Sequence, residues 1–260
     1  MAFCFLFTLS CAKETAKQED VTNSNLTPLA GDSCAEGTGC SPFTLHTYDV
    51  DNVPGYPGCV FQITVKLCVE MIPGASHVVV GDYIMAPHSC TDFYDDLNDL
   101  LITPGEADEN LFILDWDEKI FTRLENYIYD DFGSDKDCKP GEKDLTISFV
   151  REACSAICFY QYELVVDPKG GKTGDINGLR GPKPTNFVKT SCSTTGCCRR
   201  QTELCLDPLT GELQKTTTNT MYPGSISAAS ACAGGTMVPP IIPANTRLIK
   251  CNACTFICPN

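Results

Sequence analysis

Residues 192–205 (CSTTGCCRRQTELC) constrain this chain more than any other stretch, because they set four cysteines, two of them adjacent, just before a hairpin signal. In an extended strand, neighbouring side chains leave on opposite faces of the pleat. Cys197 and Cys198 can scarcely bond each other without strain, so each is expected to reach a separate partner. One short strand would then be stapled to two other parts of the fold.

The chain carries 18 cysteines in 260 residues, a density close to that of disulfide scaffolds. Small domains need bridges because they lack core. A chain of this length has room for a core and carries the cysteines anyway, which points to an oxidising compartment rather than to a cytosolic metalloprotein. The formal net charge of −14 is unevenly spread: residues 92–144 hold 17 acidic and 5 basic side chains, whereas residues 145–260 hold 7 and 11. Such acidity argues against nucleic acid or anionic lipid as a partner. The uneven layout leads to the expectation of a dipolar surface and weak, salt-sensitive self-association.

Residues 2–10 (AFCFLFTLS) form an apolar run followed by Cys11. That is too short for a membrane-spanning helix of about twenty residues but fits the apolar region of a signal peptide. With Ser10 before Cys11, and Lys13 and Glu14 after it, this start resembles a bacterial lipoprotein precursor, most closely the surface lipoproteins of the Bacteroidota. The resemblance implies a signal peptide over 1–10, lipidation of Cys11 and membrane contact through that lipid alone. It also implies a cell-surface or outer-membrane location. A soluble product of an ordinary signal peptide is the alternative. Residues 11–33 are polar enough to be a tether without core. Without Cys4 and Cys11, sixteen cysteines remain: Cys34, Cys40, Cys59, Cys68, Cys90, Cys138, Cys154, Cys158, Cys192, Cys197, Cys198, Cys205, Cys232, Cys251, Cys254 and Cys258. An even number permits complete pairing.

Residues 59–70 alternate Phe61, Ile63, Val65 and Leu67 with Gln62, Thr64 and Lys66, the period of a half-buried strand. Residues 78–85 give a second strand. The period then changes. Phe93, Leu97, Leu100 and Leu101 fit a short helix ending before Pro104. Phe112, Trp116, Ile120, Leu124 and Ile128, widened by Leu111, Phe121 and Tyr127, predict an amphipathic helix of about five turns, with Trp116 as a core anchor. Residues 145–166 read as one or two strands. Residues 167–187, rich in glycine and proline, read as a linker or long loop. Strands at 198–206 and 213–222 flank DPLTGE, where Gly211 suits a left-handed turn residue, and residues 246–258 give a last strand. The expected class is α+β: an antiparallel, disulfide-rich sheet with a helical insertion at about 90–131. An α+β domain spans 34–166, and a Cys-rich β region over 188–260 either stands alone or belongs to it.

Local signatures name no reaction. The end CNACTFICP resembles a ferredoxin cluster-binding run but lacks one cysteine and has the wrong last spacing. Cys251 and Cys254 have no strand-to-helix setting for a redox pair. His46, His77 and His88 are scattered, without zinc-finger spacing. GSISA lacks the closing glycine of a nucleophile elbow, and a phosphate loop is missing. Asp49 and Asp51, and Asp131, Asp135 and Asp137, offer oxygen clusters of the kind calcium takes; a solvated acidic face is the simpler account. No catalytic residue is assigned, and no cofactor beyond calcium at those aspartates. The expected role is an exported, non-catalytic structural or interaction protein with a protein partner or a second copy. The alternatives are an extracytoplasmic ligand-binding protein or enzyme with a non-local site and, last, a Cys-ligated metal or redox protein.

Overall fold

The computed structural model describes residues 42–162 and 185–258 except 73–74, 87–89, 103–104, 140–142, 193–195, 223–231, 233–234, 241, 243–245 and 257, together with Cys34 and Cys40. The signal, lipidation and tether expectations at 1–33 lie outside the described residues, as do 163–184 of the glycine/proline segment.

Alternation builds the first sheet. In β2 (Phe61–Ile72), Phe61, Ile63, Val65 and Leu67 are all fully buried. β2 lies between β1 (Thr44–Val50) and β3 (Ala75–Met85), and the sheet continues through β4 (Leu145–Glu152), β7 (Cys197–Leu206) and β8 (Leu213–Tyr222). All its pairings are antiparallel except β3 with β4, which run parallel from Ser76 opposite Leu145 to Val80 opposite Phe149. A parallel pair needs a long crossover, and α1 (Thr91–Ile102) and α2 (Glu106–Phe132) supply it. The helical insertion therefore has a topological job, and the sheet is mostly rather than wholly antiparallel.

At Ala153 the chain leaves this sheet for a second one. The residue is buried, and its N–H donates to the Gly196 carbonyl at 2.9 Å. β5 (Cys154–Tyr162) is the centre of the second sheet, with β6 (Thr185–Ser191) on one side and β9 (Thr246–Cys251) and β10 (Thr255–Phe256) along the other. Residues 185–187, read from the sequence as linker, belong to β6. Strands from both sides of the glycine/proline segment enter both sheets.

α2 is 27 residues long, about 40 Å at 1.5 Å per residue, and outlasts the five turns that periodicity suggests. Its first turn carries Glu106, Asp108 and Glu109, which suit the positive end of a helix. Leu111 is 64% exposed, and Ile113 takes the buried position instead. Trp116 sits edge-on or tilted to Phe61, Phe93 and Tyr56 at centroid distances of 4.8, 4.3 and 5.6 Å, in a core shared by both helices and the first sheet. Behind that sheet, Cys68, Val79 and Val150 make a smaller cluster with Cys34, Cys40 and Phe43. None of the described helices is long and apolar enough to cross a membrane.

Candidate functional site

α2 holds what apolar packing alone does not explain. Glu109, Asp117 and Glu125 are each at most 1% exposed, and acids that deep are rare unless paired. Each eight-residue step turns about 80° round a helix and rises about 12 Å, so the three acids face three different groups of strands. Glu109 receives Lys250 of β9. Glu125 accepts from Arg200 of β7 at 2.5 Å, from the Thr202 hydroxyl at 2.6 Å and from Lys215 of β8 at 3.1 Å. The alternation of β7 delivers those partners, because Cys198, Arg200, Thr202 and Leu204 share its buried face.

Asp117, at the middle, gathers both sheets. Arg151 of β4 reaches its Oδ2 at 2.5 Å, and Lys189 Nζ of β6 lies 3.1 and 3.2 Å from its two oxygens. The Tyr83 hydroxyl donates to Oδ1 at 2.8 Å. Lys189 Nζ also lies 2.7 Å from Asp82 Oδ1 and 4.4 Å from the Tyr83 ring centroid. Burial pushes the Asp82 carboxyl above its ordinary value against the pull of Lys189, and it pushes the Tyr83 phenol far up, helped by Asp117. Two acids and two bases make this cluster neutral. Neutral pairing repays the desolvation of buried ions only when geometry is good.

The sixteen cysteines from Cys34 onward form eight bridges: Cys34–Cys197, Cys40–Cys68, Cys59–Cys90, Cys138–Cys205, Cys154–Cys232, Cys158–Cys251, Cys192–Cys254 and Cys198–Cys258. Adjacent Cys197 and Cys198 diverge, one to the back of the first sheet and the other to the end of the chain. Four bridges join residues before 163 to residues after 184, so the two halves are not bridged independently. The sulfurs of Cys154, Cys192 and Cys254 lie within 4.8 Å of one another, yet each belongs to a bridge.

The five aspartates considered for calcium do not converge; among the described residues no three carboxylates gather at ligand distance. Asp51 accepts from Arg123 and the Tyr127 hydroxyl, both at 3.1 Å, and these hydrogen bonds, Tyr127 first, hold its carboxyl below the usual range. Asp49 accepts from Gln62 at 3.4 Å and Asp131 from the Tyr48 hydroxyl at 3.0 Å. Asp135 sits in a left-handed conformation, and Asp137 bridges to Leu206. The acid that organises this turn is Asp144, which accepts from Tyr129 at 2.8 Å, from the Ser134 and Lys136 amides at 2.9 and 3.2 Å, and from the Ser134 hydroxyl.

His77 is 3.0 Å from Ser148 Oγ and 3.5 Å from Glu70, and burial lowers its pKa. A groove of about 280 Å³ beside Cys138–Cys205 is lined by Lys139, Lys143, Glu203 and Gln214, but Lys143 and Glu203 pair with each other. The buried charges of α2 escaped the reading by residue type. The signal available was an acid directly after two of the large apolar residues of the stripe, Asp117 after Trp116 and Glu125 after Leu124. Comparisons with protein-family models, curated proteins and solved structures find no match. Eight bridges call for an oxidising, extracytoplasmic setting.

Proposed function

We propose that the chain is a durable, non-catalytic protein of the cell surface, anchored by lipid on Cys11, that acts by structure or by contact with another protein or a second copy of itself. One observation carries this reading: among the described residues, the cysteines and the acids buried on α2 are engaged in holding the scaffold. Sixteen cysteines close bridges, and the three acids buried on α2 each meet a strand cation. Cross-links and internal ion pairs resist unfolding and proteolysis; neither turns over a substrate. β8 ends the first sheet with a threonine-rich strand, and an edge strand offers backbone groups to a partner.

The test is expression in an exporting bacterial host, followed by fractionation and biotinylation of intact cells. The wild type is expected in the membrane fraction and labelled from outside. Cys11→Ser is expected in the soluble fraction or the medium. A wild-type protein found in the cytoplasm with free thiols would overturn the reading, and one found soluble outside the cytoplasm would overturn the anchor.

A further inference from the structure

Lys189 differs from the other lysines that meet α2 from the strands. Among the described residues it is the one buried lysine, and its side chain is 3% exposed. Lys215 and Lys250 reach their acids from the surface, with side chains 24% and 37% exposed. Lys189 also touches two carboxyl groups at once, Asp82 at 2.7 Å and Asp117 at 3.1 and 3.2 Å. A contact of 2.7 Å to one carboxyl oxygen sets the carboxyl carbon one bond further, close to the reacting distance of about 3–3.5 Å.

The supporting groups fix both carboxyls. The Tyr83 backbone N–H donates to Asp82 Oδ1 at 2.9 Å, and its hydroxyl donates to Asp117 Oδ1 at 2.8 Å. Arg151 holds the other oxygen of Asp117. The rings of Tyr83 and Phe121, centred 4.4 and 6.0 Å from Nζ, close off the nitrogen. An amine, an acid and a second carboxylate are thus assembled out of water.

We propose that Lys189 and Asp82 are joined by an intramolecular isopeptide bond, with Asp117 as the proton carrier. A proton passes from the Lys189 ammonium to the Asp82 carboxylate, leaving an amine and a carboxylic acid. The nitrogen lone pair attacks Asp82 Cγ while Asp117 takes a proton from that nitrogen. Asp117 returns the proton to the departing hydroxyl, the C–O bond breaks, and one water leaves. The product is a neutral amide, and Asp117 ends as it began. Oxidation state does not change, and no co-reactant is required.

Charge favours this product. Before reaction the cluster holds Asp82, Asp117, Lys189 and Arg151 and is neutral; afterwards the ion pair of Arg151 with Asp117 remains, still neutral and still bonded. Two buried ions become one amide, which removes a desolvation penalty. The burial that pushes the Asp82 carboxyl upward favours its reactive acid form. The bond would tie β3 of the first sheet to β6 of the second beneath α2. It does not rest on the cell-surface reading, since mass decides one and location the other.

The experiment is intact mass spectrometry of the purified full chain after complete reduction and alkylation. The expected mass is one water below that of the alkylated sequence. Proteolysis should give a branched peptide joining the segment with Lys189 to the segment with Asp82. Lys189→Arg keeps the cation but should restore the full mass. Asp82→Asn should give the same linked mass as the wild type, because asparagine would release ammonia instead of water. Asp117→Asn should leave the two residues unlinked. Mapping of the eight bridges before reduction shows that each variant has folded. A wild type at full mass with its eight bridges formed overturns the proposal. So does a water loss mapped to another residue, and complete linkage in Asp117→Asn overturns the role of Asp117.

Discussion

Replacing Arg200 with methionine would leave Glu125 buried and short of its strongest partner. Glu125 is fully buried, and Arg200 approaches it at 2.5 Å with only 6% of its own side chain exposed. Stranding one member of such a pair costs about 3–5 kcal/mol. Two contacts remain to Glu125, the Thr202 hydroxyl at 2.6 Å and Lys215 at 3.1 Å, so the lower end, about 3 kcal/mol, applies. The lost contact to Glu118 adds little, because that carboxylate is 54% exposed and surface pairs contribute about 0–1 kcal/mol. The double variant Arg200→Met/Glu125→Gln removes the stranded charge, and Lys215 can turn to water, so its cost should fall to about 1 kcal/mol, in line with apolar or neutral replacement of buried pairs. The assay is guanidinium denaturation with disulfides intact, followed through the fluorescence of Trp116, the single tryptophan. Equal slopes across the variants license the comparison. A single variant costing under about 0.5 kcal/mol, or a double variant as costly as the single, would refute the assignment of Glu125 as a paired buried charge.

Three further outcomes are expected. Asp144 is opposed by its burial but held below the ordinary carboxyl value by hydrogen bonds from Ser134, Tyr129 and the Lys136 amide. Its contribution is therefore complete above the unfolded value of about 3.9 and is lost as pH falls through the lower folded value; Asp144→Asn should flatten the acid limb of a stability-versus-pH curve, and an unchanged limb contradicts this. Gly211 has φ +70° with open space where a Cβ would stand, so Gly211→Ala should cost about 1 kcal/mol by backbone strain alone, and a neutral result in denaturant melts would show that the turn adapts. Alkylation under denaturing, non-reducing conditions should find no thiol from Cys34 to Cys258, whereas free thiols or bound zinc at Cys154, Cys192 and Cys254 would replace bridges with a metal site.

Legibility followed hydropathy. β2 could be read because its buried side chains are all apolar, and the 207–212 turn because Asp207 and Gly211 are the residue types it needs: the Asp207 carboxylate accepts the Leu209 and Thr210 amides at 2.7 and 3.1 Å. β6 was hidden for the opposite reason. Thr185, Asn186, Lys189 and Thr190 are all buried, so polar residues that pattern reading sends to solvent line the interior instead. β1 was missed too, with only Tyr48 and Val50 buried and Leu45 exposed. The parallel pair β3–β4 had a signal in plain view, a helical segment between two strands, but no spacing rule says whether the returning strand takes the neighbouring place. Bridge partners depend on that topology and could not precede it. The acids of α2 were counted as charge, whereas their meaning lay in which strands each would face.

The charge layout itself changes meaning once the strands are in place. The basic residues beyond 145 suggested a positive end that could meet the acidic insertion of another molecule. Arg151, Lys189, Arg200, Lys215 and Lys250 instead meet α2 of their own chain. The outer side of the helical insertion keeps Asp92, Asp95, Asp108, Asp115, Glu118 and Asp130 exposed. Two copies approaching through this side repel at low salt, where the screening length is long. Sedimentation at ~20 mM and ~500 mM salt spans a severalfold change in that length. The expectation is a monomer at the lower salt, with any association strengthening as salt rises. An oligomer at low salt that dissociates at high salt would show that opposite patches attract after all, through basic residues other than the five that meet α2, such as the exposed Arg247.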